Sequence, residues 1–220
     1  MKKLVVVCVL CFPLQAFAGL MVEDFTSSQW QSAIGSGNSS ASVGGVTLTS
    51  QGGNLTRNNS SGERGGCQSG MATHGLACMG DGAGVGNDEI TEGFNVGAST
   101  GQSITISFDA AVNIQDVHLL DLFGNEGSGE IAWIALTNDI AGTLTSFAAS
   151  PGNGGVGGGY WETGFTANNV TSLTLFSTGD RFSDFAVARV AYASVPEPGT
   201  LGILGAGMLL LGAMRRRPTH

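Results

Sequence analysis

Short runs in which apolar and polar residues alternate, separated by clusters of Gly, Asn, Asp and Ser, cover most of the chain. Alternation with a period of two is the mark of half-buried strands, and such clusters are the usual material of the turns between them. Ile104, Ile106 and Phe108 alternate with Thr105 and Ser107, and β-branched residues fill Val43 to Thr49. Further strands are expected at 112–123, after an Asp-Ala-Ala turn, and at 130–137, 143–148, 160–165, 170–177 and 184–193. That makes about eight. The run Ile131 to Leu136 is apolar throughout and predicts a central strand covered on both faces. No segment in this region has the length and period of a long amphipathic helix. The pattern predicts an all-β fold, an antiparallel β-sandwich or jelly roll. Residues 27–42 and the run PGNGGVGGG at 151–159 read as connectors.

Composition supports this reading. Gly supplies 36 of the 220 residues, and each interior helical Gly costs about 1 kcal/mol relative to Ala. With 42% apolar residues the chain still has the means to build a core.

Each end departs from the pattern. Residues 1–18, MKKLVVVCVLCFPLQAFA, carry two lysines, an apolar run and small residues at Ala16 and Ala18. This is the order of a secretory signal peptide, with cleavage expected between Ala18 and Gly19. At the other end, Pro196-Glu197-Pro198 precedes an apolar stretch of 14 residues, 201–214, and then Arg215, Arg216 and Arg217. The prolines hold Glu197 in an extended backbone. Fourteen residues make a short transmembrane helix, less than the ~20 of a comfortable span. The arginines should stay on the cytoplasmic side, as an anchor.

This C-terminal arrangement of Pro-Glu-Pro, short Gly-rich apolar helix and Arg cluster resembles the PEP-CTERM protein-sorting domain of Gram-negative bacteria. The resemblance covers about the last 26 residues. It implies that exosortase, a membrane-embedded cysteine transpeptidase-like enzyme, reads Pro196-Glu197-Pro198 and processes the chain nearby. The cargo would then be released, or transferred to the cell surface or to extracellular polysaccharide. The expected organisation is a signal peptide at 1–18, an extracellular β domain at 19–194 and a sorting signal at 195–220. Signal peptidase and exosortase are the expected processing partners, and membrane contact through the C-terminal helix is transient.

Removing both ends changes the charge picture. Residues 19–194 contain no lysine, and four arginines stand against 16 acids, a net charge of −12. A surface of that sign disfavours nucleic acid, whose binding draws on Lys and Arg.

Cys8 and Cys11 leave with the signal peptide, so Cys67 and Cys78 remain, a predicted disulfide in an oxidising compartment. The glycine-rich stretch from Cys78 to Ile90 holds Asp81, Asn87, Asp88 and Glu89. Such oxygen donors suit Ca²⁺, and Asp81, Asp88 and Glu89 are the candidate metal ligands, although the spacing is not that of an EF-hand. The same stretch resembles one in other PEP-CTERM cargo, a likeness that carries no activity. Asp180 and Asp184 are possible additional ligands. His74 and His118 stand in no catalytic frame, and Asp121 with Glu126 or Glu130 is the pairing to check for glycoside hydrolysis. Among the tryptophans, Trp133 reads as core, while Trp161 beside Tyr160 is the candidate for stacking on a sugar. The expected function is that of a non-catalytic surface or matrix protein associated with exopolysaccharide or biofilm. A Ca²⁺-dependent carbohydrate-binding module and an extracellular hydrolase remain as alternatives.

Overall fold

The computed structural model describes residues 19–35, 37–58, 75–86, 88–91, 101–124, 130–136, 144–148, 159–177 and 183–195, together with Gly205 and Gly207. By packing, the chain divides into Leu20–Ser194 and a unit made of Met1–Gly19 with Val195–His220. Of that second unit only Gly19, Val195, Gly205 and Gly207 are described, and the last two are helical. The signal peptide, Pro196-Glu197-Pro198 and the three arginines lie outside the described residues. Among the described residues no helix is long and apolar enough to cross a membrane.

In chain order the elements are β1 Leu20–Asp24, α1 Ser28–Ile34, β2 Ser40–Val43, β3 Val46–Gln51, β4 Leu55–Arg57, β5 Ala83–Val85, β6 Ser103–Leu120, β7 Ile131–Leu136, β8 Leu144–Ala148, β9 Trp161–Glu162, β10 Ala167–Ser177 and β11 Ala186–Ser194. The all-β, antiparallel class is as expected. A sandwich or jelly roll implies two separate sheets, whereas hydrogen bonding here joins all eleven strands into one barrel-like sheet. The cause is β6. Its 18 residues were expected as two strands with a turn at Asp109, but they form one continuous strand whose register against β10 shifts between Ser107 and Val112. The first half of β6 lies between β3 and β10, and the second half lies between β11 and β9. A strand that changes partners midway links two halves that a sandwich would keep apart.

One irregularity sets which side chains of β6 face inward. Ile104, Ile106, Phe108, Val112 and Ile114 are buried at alternating positions of β6. Asp116 then pairs with Ala191 and Ile114 with Tyr192, which leaves Gln115 as an extra residue. Such a bulge reverses the parity of everything beyond it. From there Val117 and Leu119 join the main core, while His118 and Leu120 face the opposite side. In the first half, Leu48, Ile106 and Leu173 stand side by side on β3, β6 and β10, all fully buried. Burying such a side chain contributes about 1.5–3 kcal/mol.

The connector expected at 27–42 instead contains α1 and β2. Ser27 caps the helix by accepting from the N–H of Trp30, the usual role of Ser at that position. Trp30 and Ile34, one turn apart, are buried, and Trp30 meets Phe25 edge-on with ring centroids 5.0 Å apart. The expectation that both faces of 131–136 are covered is also corrected. β7 lies between β10 and β8 with Ala132 and Ile134 facing the core. Trp133, expected in the core, is half-buried on the other face.

Candidate functional site

The reversed parity of β6 creates a second environment on the outer face of the sheet. Leu120, Ala186, Ala188 and Leu76 form a small apolar cluster there, and Cys78 and Tyr160 pack against it. This cover buries His118, which is 5% exposed.

Sheet register places charged groups in a row through His118. Arg189 of β11 pairs with His118 on one side, and Glu162 of β9 pairs with it on the other. Beyond Arg189, Asp24 of β1 continues the row. Residues paired in this way project from the same face. Asp116, two residues before His118 on β6, shares that face by the same rule.

Asp116 is held by both oxygens. Its Oδ1 accepts from the backbone N–H of Val117 at 2.7 Å, from Gly164 N at 2.9 Å and from Thr163 Oγ1 at 3.3 Å. Its Oδ2 faces His118 Nε2 at 3.4 Å. On the far side of the ring, Nδ1 is hydrogen-bonded to Tyr160 Oη at 2.5 Å. One ligand atom from each of Asp116, His118 and Glu162 falls within 4.8 Å of the others. Desolvation lowers the His118 pKa below its ordinary value, and Arg189 adds to this while Asp116 and Glu162 oppose it. Burial, with Glu162 nearby, raises the Tyr160 pKa to about 12.

The residues singled out from sequence fall elsewhere. Asp81 and Glu89 are buried, and Asp88 is half-buried. Among the described residues they are not a group with ligand atoms close enough to share an ion. Between them runs β5, whose three residues are all buried. A Cβ on Gly84 would stand 1.6 Å from the Asp88 carbonyl oxygen, so the glycine serves close backbone packing. Asp184 is half-buried, and Asn87, Asp180, Cys67 and His74 lie outside the described residues. Cys78, at φ 48°, is in a disulfide.

Of the carboxylates considered for hydrolysis, Asp121 accepts from Asn58 Nδ2 and Glu130 accepts from the backbone N–H of Phe123; both are buried. Glu126 lies outside the described residues. A pocket of about 340 Å³ is lined by Gly35, Gly37, Asn54, Leu55, Thr56, Arg57 and Gly86, with no carboxylate among them. Trp161, expected as a stacking surface, is half-buried: it packs against the main core and its indole N–H is buried.

The sequence reading missed Asp116, Glu162 and the part played by Tyr160. Asp116-x-His118 on a strand was the available signal, since residues two apart share a face. Glu162 carried none, because only the β6–β9 pairing brings it near.

Residues 194–217 match the PEP-CTERM protein-sorting motif. The C-terminal end of the chain thus carries this sorting motif, which marks an exported protein targeted to exosortase. No curated protein and no solved structure matches it.

Proposed function

We propose that the β domain is a non-catalytic module carried to the surface of a Gram-negative cell, or released into the surrounding matrix, where it associates with exopolysaccharide. Signal peptidase removes residues 1–18, and exosortase cuts near Pro196-Glu197-Pro198. The observation that carries this reading is positional: the sorting motif begins at residue 194, where β11 ends. Processing next to that point would leave every strand of the sheet in the mature product. The lysine-free, acidic composition of residues 19–194 suits a soluble extracellular module.

Mass spectrometry of the protein from its own host tests the processing step. The expected mature form starts at Gly19 and ends close to Pro198, and a strain lacking exosortase should retain Arg217. A wild-type product that keeps its C-terminus through Arg217 would overturn the sorting reading. Fractionation tests the rest: the mature domain should sediment with exopolysaccharide and be freed when that polymer is degraded. If it is equally soluble in both cases, the polysaccharide role fails while the sorting reading stands.

A further inference from the structure

We propose that Asp116, His118 and Glu162 form a binding site for a divalent transition-metal cation, with Zn²⁺ the best match. The donors come from two neighbouring strands and meet on one face within 4.8 Å. Zn²⁺ holds nitrogen and oxygen ligands at about 2.0–2.1 Å in a tetrahedron, whose edges are therefore about 3.3 Å. The 3.4 Å between His118 Nε2 and Asp116 Oδ2 is such an edge. Two ligand atoms thus stand at the separation that the ion requires, and Glu162, exposed on β9 opposite His118, brings a third within 4.8 Å.

The surroundings aim these atoms. Three donors occupy Oδ1 of Asp116, which leaves Oδ2 directed at the imidazole. Tyr160 holds Nδ1 of His118, and a hydroxyl both donates and accepts. With metal on Nε2 the imidazole proton resides on Nδ1 and is donated to Tyr160 Oη, the outer-shell partner that ligating histidines typically have. One imidazole with two carboxylates favours Zn²⁺ and its neighbours over Ca²⁺ and Mg²⁺, which take oxygen. Exposure at Glu162 provides an entry path and leaves the fourth position to water. Arg189, paired with His118, is the opposing charge, and Asp24 beside it partly offsets that cost.

The test uses the untagged full chain in detergent, stripped with chelator and titrated calorimetrically with ZnCl₂. One equivalent should bind, and X-ray absorption should show one imidazole with oxygen neighbours and no sulfur. Glu162→Gln changes an exposed side chain and should leave the fold intact. Loss of this ligand should weaken binding by more than the roughly 10–100-fold typical of an outer-shell change, whereas Tyr160→Phe should stay within that range. His118→Gln should abolish the stoichiometric event. Absence of Zn²⁺ binding by the wild type, equal binding by wild type and Glu162→Gln, or sulfur in the first shell would each overturn the proposal.

Discussion

Tyr160 and His118, 42 positions apart in the chain, share a hydrogen bond between phenol oxygen and imidazole Nδ1, and their rings meet edge-on. His118 is fixed at its other nitrogen by Asp116. A buried imidazole held at both nitrogens has one orientation. That orientation depends on strand pairing, because β9 follows directly after Tyr160 and is registered on His118 itself.

Burial of His118 should make stability depend on pH. Its folded pKa lies below 6.5, so the unfolded chain takes up the proton first as pH falls. The contribution is complete above about pH 6.5 and is lost on acidification below that value. Urea midpoints at several pH values should fall from pH 7 toward 5. In His118→Gln that part of the slope should vanish; an unchanged slope would show that His118 is not its source.

Both tyrosines of the chain should resist ionisation. Burial raises Tyr160 and Tyr192 to about 12, with Glu23 contributing to the second. The folded state therefore loses stability as pH climbs from about 10, where an unfolded tyrosine titrates, toward 12. Absorbance at the phenolate band should stay flat through the ordinary tyrosine range and rise only as the protein unfolds. A normal titration of either residue in the native protein would contradict this.

Ile106 lies between Leu48 and Leu173 in the main core. Ile106→Ala should destabilise the domain by about 2–5 kcal/mol, measured by urea denaturation. Ala111→Ser, on a half-buried position of the same strand, should cost well under this. A loss below about 1 kcal/mol at Ile106 would mean that the row is looser than its burial indicates.

Gly84→Ala should disturb β5, since the added carbon would meet the Asp88 carbonyl. The expected cost is about 1–3 kcal/mol, as for other forced overpacking. Hydrogen exchange should rise along Leu55–Arg57 and near Val187, the partners of β5. Unchanged protection there would show that the chain absorbs the methyl group locally.

Peptide mapping without reduction should join Cys78 to Cys67. Reducing that bond should lower stability by about 2–3 kcal/mol, the amount expected for a short loop. Recovery of Cys67 as a free thiol would exclude the pairing.

The all-β class was legible because Ile104, Ile106 and Phe108 alternate cleanly with Thr105 and Ser107. The continuity of β6 was not: Asp109-Ala-Ala resembles a turn locally, and the pairing of Ser107 before it and Val112 after it with β10 carries the strand through. β5 was hidden for another reason. Ala83-Gly84-Val85 has low strand propensity, and tertiary packing rather than side-chain preference makes it a strand. The acidic residues around it suggested a metal loop, whereas the clustered donors arise from a bulge at Gln115 and a pairing 44 positions away. Neither the bulge nor the pairing leaves a local motif. The sorting motif was readable because it is a linear signal.

The pairing of β1 with β11, Leu20 opposite Ala193 and Asp24 opposite Arg189, bears on the timing of secretion. The first strand to leave the membrane finds its neighbour only when the last has followed. An exported chain threads out in order, so β1 must wait, unpaired, for nearly the whole domain to emerge. Pairings this distant in sequence form slowly. The sheet can be completed only once residue 194 has cleared the bilayer, at the point where the sorting motif begins. Closure of the fold and arrival of the sorting signal are thus tied to the same moment of export.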